Sequence, residues 1–561
     1  MNAKRVVTHY ERIADAPDAI VRLRRLILDL AVRGRLVPQD PQDDPASKLL
    51  KRIAAEKARL VKARDARKSE VEPFDPEDAP FLVPRSWAWT RLGSVGDWGS
   101  GSTPSRGNLD LYGGGITWLK SGELNDNRQL AGSEETVTEL AVAKGSFRLN
   151  RPGDVLIAMY GATIGKVAIL AENAVTNQAV CACTPFSSLF NQFLFLFLLS
   201  QREQLHSVSE GGAQPNISKV KIVWMPFPLP PLAEQHRIVA KVDDLMALCD
   251  RLEVARGERE ATRDRLAAAS LARVNAPDPE TFHDDARFAL NALPALTTRA
   301  DQINQLRQTI FNLAVRGKLE PQDPKDEPAS ELLKRITAEK ARTNKHQQNA
   351  PEIDHPKELG DLPSSWCAVP LIALGSWAIG SGFPKNEQGL TDGPHFFLKV
   401  SDMNLPGNEK YIITSNNFID DNAAGRMRAK IHPPRTIIFP KIGGAIATNK
   451  RRILTRGAAI DNNCLGITFS SEVNIEWAYL LLTTLDFTQF QVGTAVPALQ
   501  QGVLERIPVG LPPLAEQHRV VAKVDELIAL CDRLEASLIT GEDTRRCLLD
   551  ASLHEALAPA A

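Results

Sequence analysis

The chain has 561 residues, of which 43% are hydrophobic and 24% charged, a globular composition with room for three or four domains. Lys and Arg total 67 against 68 Asp and Glu, a net charge of −1, so a polycationic nucleic-acid binder is excluded and any DNA-facing charge must be local. The most apolar run, FNQFLFLFLL from Phe190, is too short for a membrane span and reads as a buried helix, and MNAKRVVTHYERIAD lacks the apolar core of a secretion signal, so an intracellular, cytoplasmic protein with no membrane partner is expected.

In chain order, the first periodic segment places Ile20, Leu23, Ile27 and Leu30 on one helical face, ended by Gly34. A second helix restarts at Pro45-Ala-Ser. A stretch of short β-like runs broken by Gly and Pro follows, from about Glu72 to Pro228. Pro230 and Pro231 then stop a strand and precede a helix start. That helix carries Ile238, Val242, Leu245, Cys249 and Leu252 at steps of 4, 3, 4 and 3, a coiled-coil seam. From about Ala233 to Ser270 it would run roughly 57 Å, long enough to space two domains.

The same series then repeats. Leu23 to Leu60 matches Leu306 to Thr343 at 27 of 38 positions, and Leu229 to Glu253 matches Leu511 to Glu535 at 22 of 25. The second copy has Ile303, Leu306, Ile310, Leu313 and Gly317, then Pro328-Ala-Ser, a divergent stretch from about Ile353 to Gly510, Pro512-Pro513 and the seam Val520, Val524, Leu527, Cys531, Leu534, Leu538. The divergent stretches keep a common order: Pro-x-Ser-Trp (Pro84 to Trp87, Pro363 to Trp366), Gly-Ser-Gly (Gly99 to Gly101, Gly380 to Gly382), ITWLKSGELN against HFFLKVSDMN, and a Gly-rich turn with Pro, GGAQPNIS against VGTAVPALQ. Framework positions are shared while loops differ, as in two readers built on one scaffold. The fold class is α+β: two mostly β domains with some helix in an internal repeat. The segments are 1–71 (helical), 72–228 (first variable domain), 229–352 (central helical), 353–510 (second variable domain) and 511–561 (C-terminal helix).

The doubled Pro-Pro-Leu-Ala-Glu-Gln at the head of a long helix, the AVRGKL…PQDP…PAS segments and the two variable stretches resemble the DNA-specificity (S) subunit of Type I restriction-modification systems, the HsdS family. The resemblance covers nearly the whole chain. It implies two target-recognition domains, each reading one half of a bipartite double-stranded DNA site. It implies an antiparallel coiled coil that sets the spacer, giving a pseudo-two-fold arrangement. Implied partners are two methyltransferase subunits, which would carry S-adenosylmethionine, and two motor-nuclease subunits for restriction. The family's subunit has no catalytic activity of its own and holds no cofactor.

Candidate DNA contacts follow from local charge and polarity. Asn422 to Ile460 contains no acidic residue but holds Arg426, Arg428, Lys430, Arg435, Lys441, Lys450, Arg451, Arg452 and Arg456. That window is the expected source of phosphate and base contacts in the second domain, with Lys385 and Lys399 upstream. The first domain is poorer in charge: Lys144, Arg148, Arg151 and Lys166, with Asp154 among them. There Thr103, Arg106, Lys120, Ser121, Tyr160, Thr163, Lys166, Gln214, Asn216 and Lys219 are the candidates, since amides pair with adenine and Arg or Lys with guanine. Ordinary turn duty accounts for any single one of these equally well. Trp87 and Trp366 read as core, as do Cys249 and Cys531.

Enzyme signatures are lacking. GATIGK (Gly161 to Lys166) is one residue short of a phosphate loop and has Val167 where Ser or Thr would hold magnesium. Cys181 and Cys183 have no zinc-completing pair downstream. HPPR at His432 lacks the amide and aromatic of a methyltransferase motif. Two other functions stay open on the residues: a coiled-coil adaptor whose domains bind protein, and an enzyme with an unrecognised site.

Overall fold

Each copy of the first shared segment folds as two helices, the first followed by a left-handed glycine, Gly34 or Gly317. The computed structural model describes residues 16, 18–63, 71–145, 147–209, 215–275, 281, 284, 287–288, 292, 297–343, 359, 362–493 and 496–557. The chain divides into two units, Met1–Glu260 with Glu542–Ala561, and Ala261–Gly541.

In the first unit α1 (Ala19–Val32) and α2 (Ala46–Ala63) precede β1 (Ala88–Arg91), β2 (Gly96–Ser100), β3 (Tyr112–Leu119), β4 (Asn127–Leu130), β5 (Thr136–Val137), α3 (Glu139–Lys144), β6 (Val155–Ala158), β7 (Val167–Leu170), β8 (Ala174–Thr176) and β9 (Val180–Pro185). The apolar run from Phe190 becomes α4 (Asn191–Ser200), followed by α5 (Lys219–Trp224), β10 (Pro226–Leu229) and the long α6 (Leu232–Asn275), of which this unit holds the part up to Glu260. Strands order as β2-β9-β6-β7-β4, β5-β3-β8 and β1-β10.

The second unit has α7 (Ala300–Val315), α8 (Ala329–Thr343), β11 (Cys367–Pro370), β12 (Gly375–Ile379), β13 (His395–Leu398), β14 (Tyr411–Ile412), β15 (Phe418–Ile419), α9 (Asp421–Met427), β16 (Thr436–Pro440), β17 (Arg452–Leu454), β18 (Ala458–Ile460) and β19 (Cys464–Phe469). It ends with α10 (Ile475–Thr484), β20 (Gln491–Val492), β21 (Ala498–Leu499), β22 (Pro508–Leu511) and the part of α11 (Leu514–Leu557) up to Gly541. Its sheets run β12-β19-β16-β17-β14, β15-β13-β18 and β11-β22, strand for strand the order of the first unit, with β20-β21 added.

Burial explains the three layers of each unit. In β6, Val155 and Ile157 join the core with α1, α2 and α4, while Leu156 and Ala158 join a second core against the small sheet. The strand alternation of two sends successive side chains to opposite faces, so a sheet covered on both faces reads as an unbroken apolar run. β16 repeats this, with Ile437 and Phe439 on one face and Ile438 on the other.

The nine residues LPPLAEQHR, at Leu229 to Arg237 and again at Leu511 to Arg519, are a latch. Gln235 is fully buried; it accepts from the Phe190 N–H (2.8 Å) and donates to the Pro230 carbonyl (3.0 Å). Gln517 does the same with Asn474 (2.8 Å) and Pro512 (3.0 Å). Buried Glu234 accepts from Gln39 (2.6 Å), itself bonded by Ser86 (2.5 Å); Glu516 accepts from Gln322 (2.7 Å), itself bonded by Ser365. Arg237 grips Asp43 through two nitrogens, at 2.6 and 3.2 Å, and Arg519 grips Asp326 at 2.7 and 3.3 Å. The Pro-Gln-Asp-Pro loop, the Pro-x-Ser-Trp corner and the helix start are thereby fixed to one another. Further along, Arg24 meets Asp250 and Glu253, and Arg307 meets Asp532 and Glu535.

Two sequence expectations change. α6 and α11 each span 44 residues, about 66 Å at the helical rise, longer than the Ala233–Ser270 estimate. Strand register also pairs the Gly-Ser-Gly runs differently. Gly96 and Gly375 sit opposite Pro185 and Phe469 in matching strands, so Gly101, not Gly99, is the counterpart of Gly380. Ile238, Val242 and Cys249 of the expected seam are buried in the first unit's own core. Among the described residues no helix is long and apolar enough to cross a membrane.

Gly34 and Gly317 both hold φ +67°, and a Cβ on either would lie 2.5 Å from a ring carbon of Pro84 or Pro363. Replacing either with Ala is expected to cost at least about 2 kcal/mol in urea unfolding, from the left-handed conformation plus the clash. A loss under about 0.5 kcal/mol would contradict this packing.

Candidate nucleic-acid interface

In the first unit the sequence candidates gather into two groups. The first lies on the small sheet. Arg106 pairs with Glu135 (2.6 Å) and lies over the rings of Tyr112 and Trp118, at 4.9 and 5.3 Å. Lys120 reaches the same carboxylate at 2.9 Å. The hydrogen bonds from Arg106, then Lys120, hold the Glu135 carboxyl down at about 2. Both cations thus start out neutralised, and a phosphate would have to displace Glu135. Ser121 opens the 3-10 turn Ser121–Glu123, closed by the Lys120 N–H on Glu123 (2.6 Å). Thr103 is exposed and donates to Gln178.

The second group surrounds the turn after β6. The Gly161 N–H donates to the Pro215 carbonyl (2.8 Å), Tyr160 and Asn216 form an antiparallel bridge, and the Thr163 hydroxyl closes on the Tyr160 carbonyl (2.8 Å). Tyr160 and Asn216 point side chains at solvent. Lys166 donates to Asn125 (2.8 Å), and Lys219 is the first residue of α5, capped by Ser218. Gln214 lies outside the described residues. Arg148, counted with this domain's charge, is instead tied to Asp97 (3.1 Å) and Thr184 (2.6 Å).

In the second unit Arg426 is paired with Glu387 (2.8 Å), and Lys399 bonds Gln388 (3.1 Å) above the Phe383 ring. Lys385, Arg428 and Lys430 are exposed and make no side-chain hydrogen bond or ion pair among the described residues. Arg428 ends α9 in the left-handed conformation, φ 52°. Lys441 is half-buried, and Lys450 is bonded to Asn404. Tyr160 and Gly161 have their counterparts in Ile442 and Gly443, which bridge to Ala498 and bond Pro497 in the same way.

Arg451 corrects the reading of the basic window. It is 2% exposed, lies 3.9 Å from the Phe487 ring, and donates to the carbonyls of Leu482 (3.1 Å), Lys450 (3.0 Å) and Leu485 (3.2 Å) and to Asn449 (2.7 Å). Burial lowers its pKa to about 9, so it stays charged at neutral pH, with carbonyls in place of a counter-ion. A guanidinium spent on interior acceptors is unavailable to a duplex. Arg452 is half-buried and is also turned to carbonyls, those of Met403 (3.2 Å) and Arg451 (2.8 Å). Arg435 bonds the Val473 carbonyl, and Arg456 those of Gly393 and Pro394. Much of the window's charge therefore serves structure, and Arg428 and Lys430 within it, with Lys385 upstream, are exposed cations without a side-chain partner among the described residues.

Among the described residues no group of three or more His, Cys, Asp and Glu could hold a metal. Cys181 and Cys183 are buried in β9, where burial pushes the Cys181 thiol up to about 12. His236 lies against the Phe190 ring and His518 bonds Asn474, both at the latch. The latch itself escaped sequence reading, although the duplicated polar residues were its signal. So did Arg128 of β4, which ion-pairs with Asp243 on α6 (2.6 Å).

Residues 84–259 and 397–540 match the family described as "Type I restriction modification DNA specificity domain". The chain is 31% identical to the Type I restriction enzyme EcoAI specificity subunit of Escherichia coli, over 96% of this chain and 94% of that one. It is 27% identical to the EcoEI specificity subunit of the same organism, with the same coverage. The crystal structure of an HsdS subunit from Thermoanaerobacter tengcongensis overlays with a TM-score of 0.43 at 18% identity, covering 86% of this chain and 98% of that one.

Arg451→Met is expected to cost about 3 kcal/mol or more, since it orphans several buried acceptors, whereas Lys430→Ala should stay within about 0.5 kcal/mol. Thermal unfolding of the two variants checks this. Equal stability would return Arg451 to the surface.

Proposed function

The chain belongs to the family of DNA specificity subunits of Type I restriction-modification systems, and on that premise we propose how its parts divide the work. Each unit reads one half of a bipartite double-stranded site. The observation that carries this is the strand-for-strand agreement of two units whose rims carry different side chains. In the second unit Lys385, Arg428 and Lys430 meet phosphates. In the first, Tyr160, Thr163 and Asn216 face base edges, while Arg106 and Lys120 exchange Glu135 for phosphate. Lys219, Lys166 and Ser121 border these loops, with Lys399, Arg426, Lys441 and Lys450 in the corresponding role on the second unit.

α6 and α11 set the distance between the half-sites. Successive major-groove faces recur about every 34 Å, within reach of helices of about 66 Å. The same helices dock two methyltransferase subunits, and two motor-nuclease subunits join for cleavage. S-adenosylmethionine belongs to the methyltransferase, and this chain contributes recognition without a chemical step. The complex works in the cytoplasm. A coiled-coil adaptor that binds protein in place of DNA would not account for relatives that are specificity subunits along nearly their full length.

The test is selection of a randomised duplex library by the full chain assembled with its methyltransferase subunits. Two unlike half-sites at one fixed gap are expected. A single continuous motif, or no enrichment, would contradict the proposal.

A further inference from the structure

One turn has the same construction in both units and was not singled out by its sequence. It joins β8 to β9 at Asn177–Ala179 and β18 to β19 at Asp461–Asn463. In each copy the first side chain accepts the N–H two residues on: Asn177 from Ala179 (3.1 Å), Asp461 from Asn463 (3.2 Å). Its carbonyl accepts the next N–H, from Val180 (3.1 Å) and from Cys464 (3.0 Å). The incoming strand passes directly beneath. Ser102 bonds Thr176 (2.8 Å) and Ser381 bonds Ile460 (2.9 Å). A Cβ on Gly101 would lie 2.0 Å from the Thr176 carbonyl oxygen, and one on Gly380 1.9 Å from that of Asp461. Only glycine admits this approach, and the turn is held from both sides.

A turn so fixed presents its middle residue with little freedom. That residue is Gln178 in one unit and Asn462 in the other, a carboxamide both times, and both are exposed. The surroundings differ. Gln178 accepts the Thr103 hydroxyl. Asn462 makes no hydrogen bond among the described residues and faces Gly382, where a Cβ would stand 3.9 Å from its Nδ2. The neighbouring amide, Asn463, is tied back to Asp461 (2.9 Å). The turn also joins the two candidate groups. The Met159 N–H, next to Tyr160, bonds the Ala179 carbonyl (2.8 Å), and the Lys441 N–H bonds that of Asn463 (2.7 Å).

A carboxamide sets an acceptor beside a donor, the complement of adenine N6–H and N7 in the major groove. We propose that Gln178 and Asn462 are specificity-determining residues, each reading an adenine in its own half-site. This rests on the DNA reading given above. Thr103 orients the first amide through its oxygen; the second is free to turn onto its base.

The probe is a randomised duplex library bound by the full chain with its methyltransferase subunits. Asn462→Ala should relax the preference at one A·T pair of the second unit's half-site by roughly ten- to a hundredfold, and leave the other half intact. Gln178→Ala should do the same in the opposite half. Asn462→Asp, which keeps the size but only accepts, should move the preference toward cytosine at that pair. An unchanged preference at every position, or a uniform loss of affinity across sequences as for a phosphate contact, would overturn the assignment while the DNA reading stands. No enrichment by the wild-type complex would overturn both.

Discussion

The arrangement depends on one buried carboxamide per unit, at the head of each long helix. Gln235 and Gln517 stand among apolar side chains, where an unpaired amide would cost about 1–3 kcal/mol. Each has one acceptor and one donor directed at backbone groups of two different elements. The geometry that satisfies the amide also fixes the start of the helix to the Phe190 or Asn474 backbone and to the proline turn before it. Glu234 and Glu516 add a second constraint. Burial raises both above the usual carboxylate range, opposed by Gln39 and Trp87 in one unit and by Gln322 and Trp366 in the other. Shifting the helix by one residue would strand all of these groups, which accounts for the identity of the two copies of LPPLAEQHR within this chain.

The rim of each domain is under no such demand. Its side chains hang from turns whose backbones are already fixed by their own hydrogen bonds and by glycines pressed against them. Thr103 stands where the other unit has Gly382, and Tyr160 where it has Ile442. Substitution there leaves the two cores and the latch untouched. A scaffold with this division between fixed frame and free rim can keep its helices and partners while its target changes.

Legibility of the sequence followed the same division. Helices with an apolar period of 3.6 residues, the glycines ending them and the proline-bounded strands were readable because local pattern determines them. The pairing of the Gly-Ser-Gly runs was two residues off, because strand register is set by partners such as Pro185 and Phe469 far along the chain. The basic window misled for a related reason. Counting charge from Asn422 to Ile460 could not show that Phe439 and Phe487 make a pocket for Arg451, or that the Leu482 and Leu485 carbonyls at the end of α10 take up its donors. Arg428 carries the same guanidinium and differs from it only in what surrounds it, being exposed where Arg451 is buried. The tip of the β18–β19 turn was passed over because Asp-Asn-Asn reads as ordinary turn chemistry until its neighbours are placed.

The central claim is that a latched frame carries two readers that act independently. It is tested most directly by replacing residues 72–228 with the corresponding domain of the EcoAI specificity subunit and sequencing the bases modified in a host genome. The account predicts a new sequence in one half-site, with the other half and the gap retained. Change in both halves, or in neither, would contradict it.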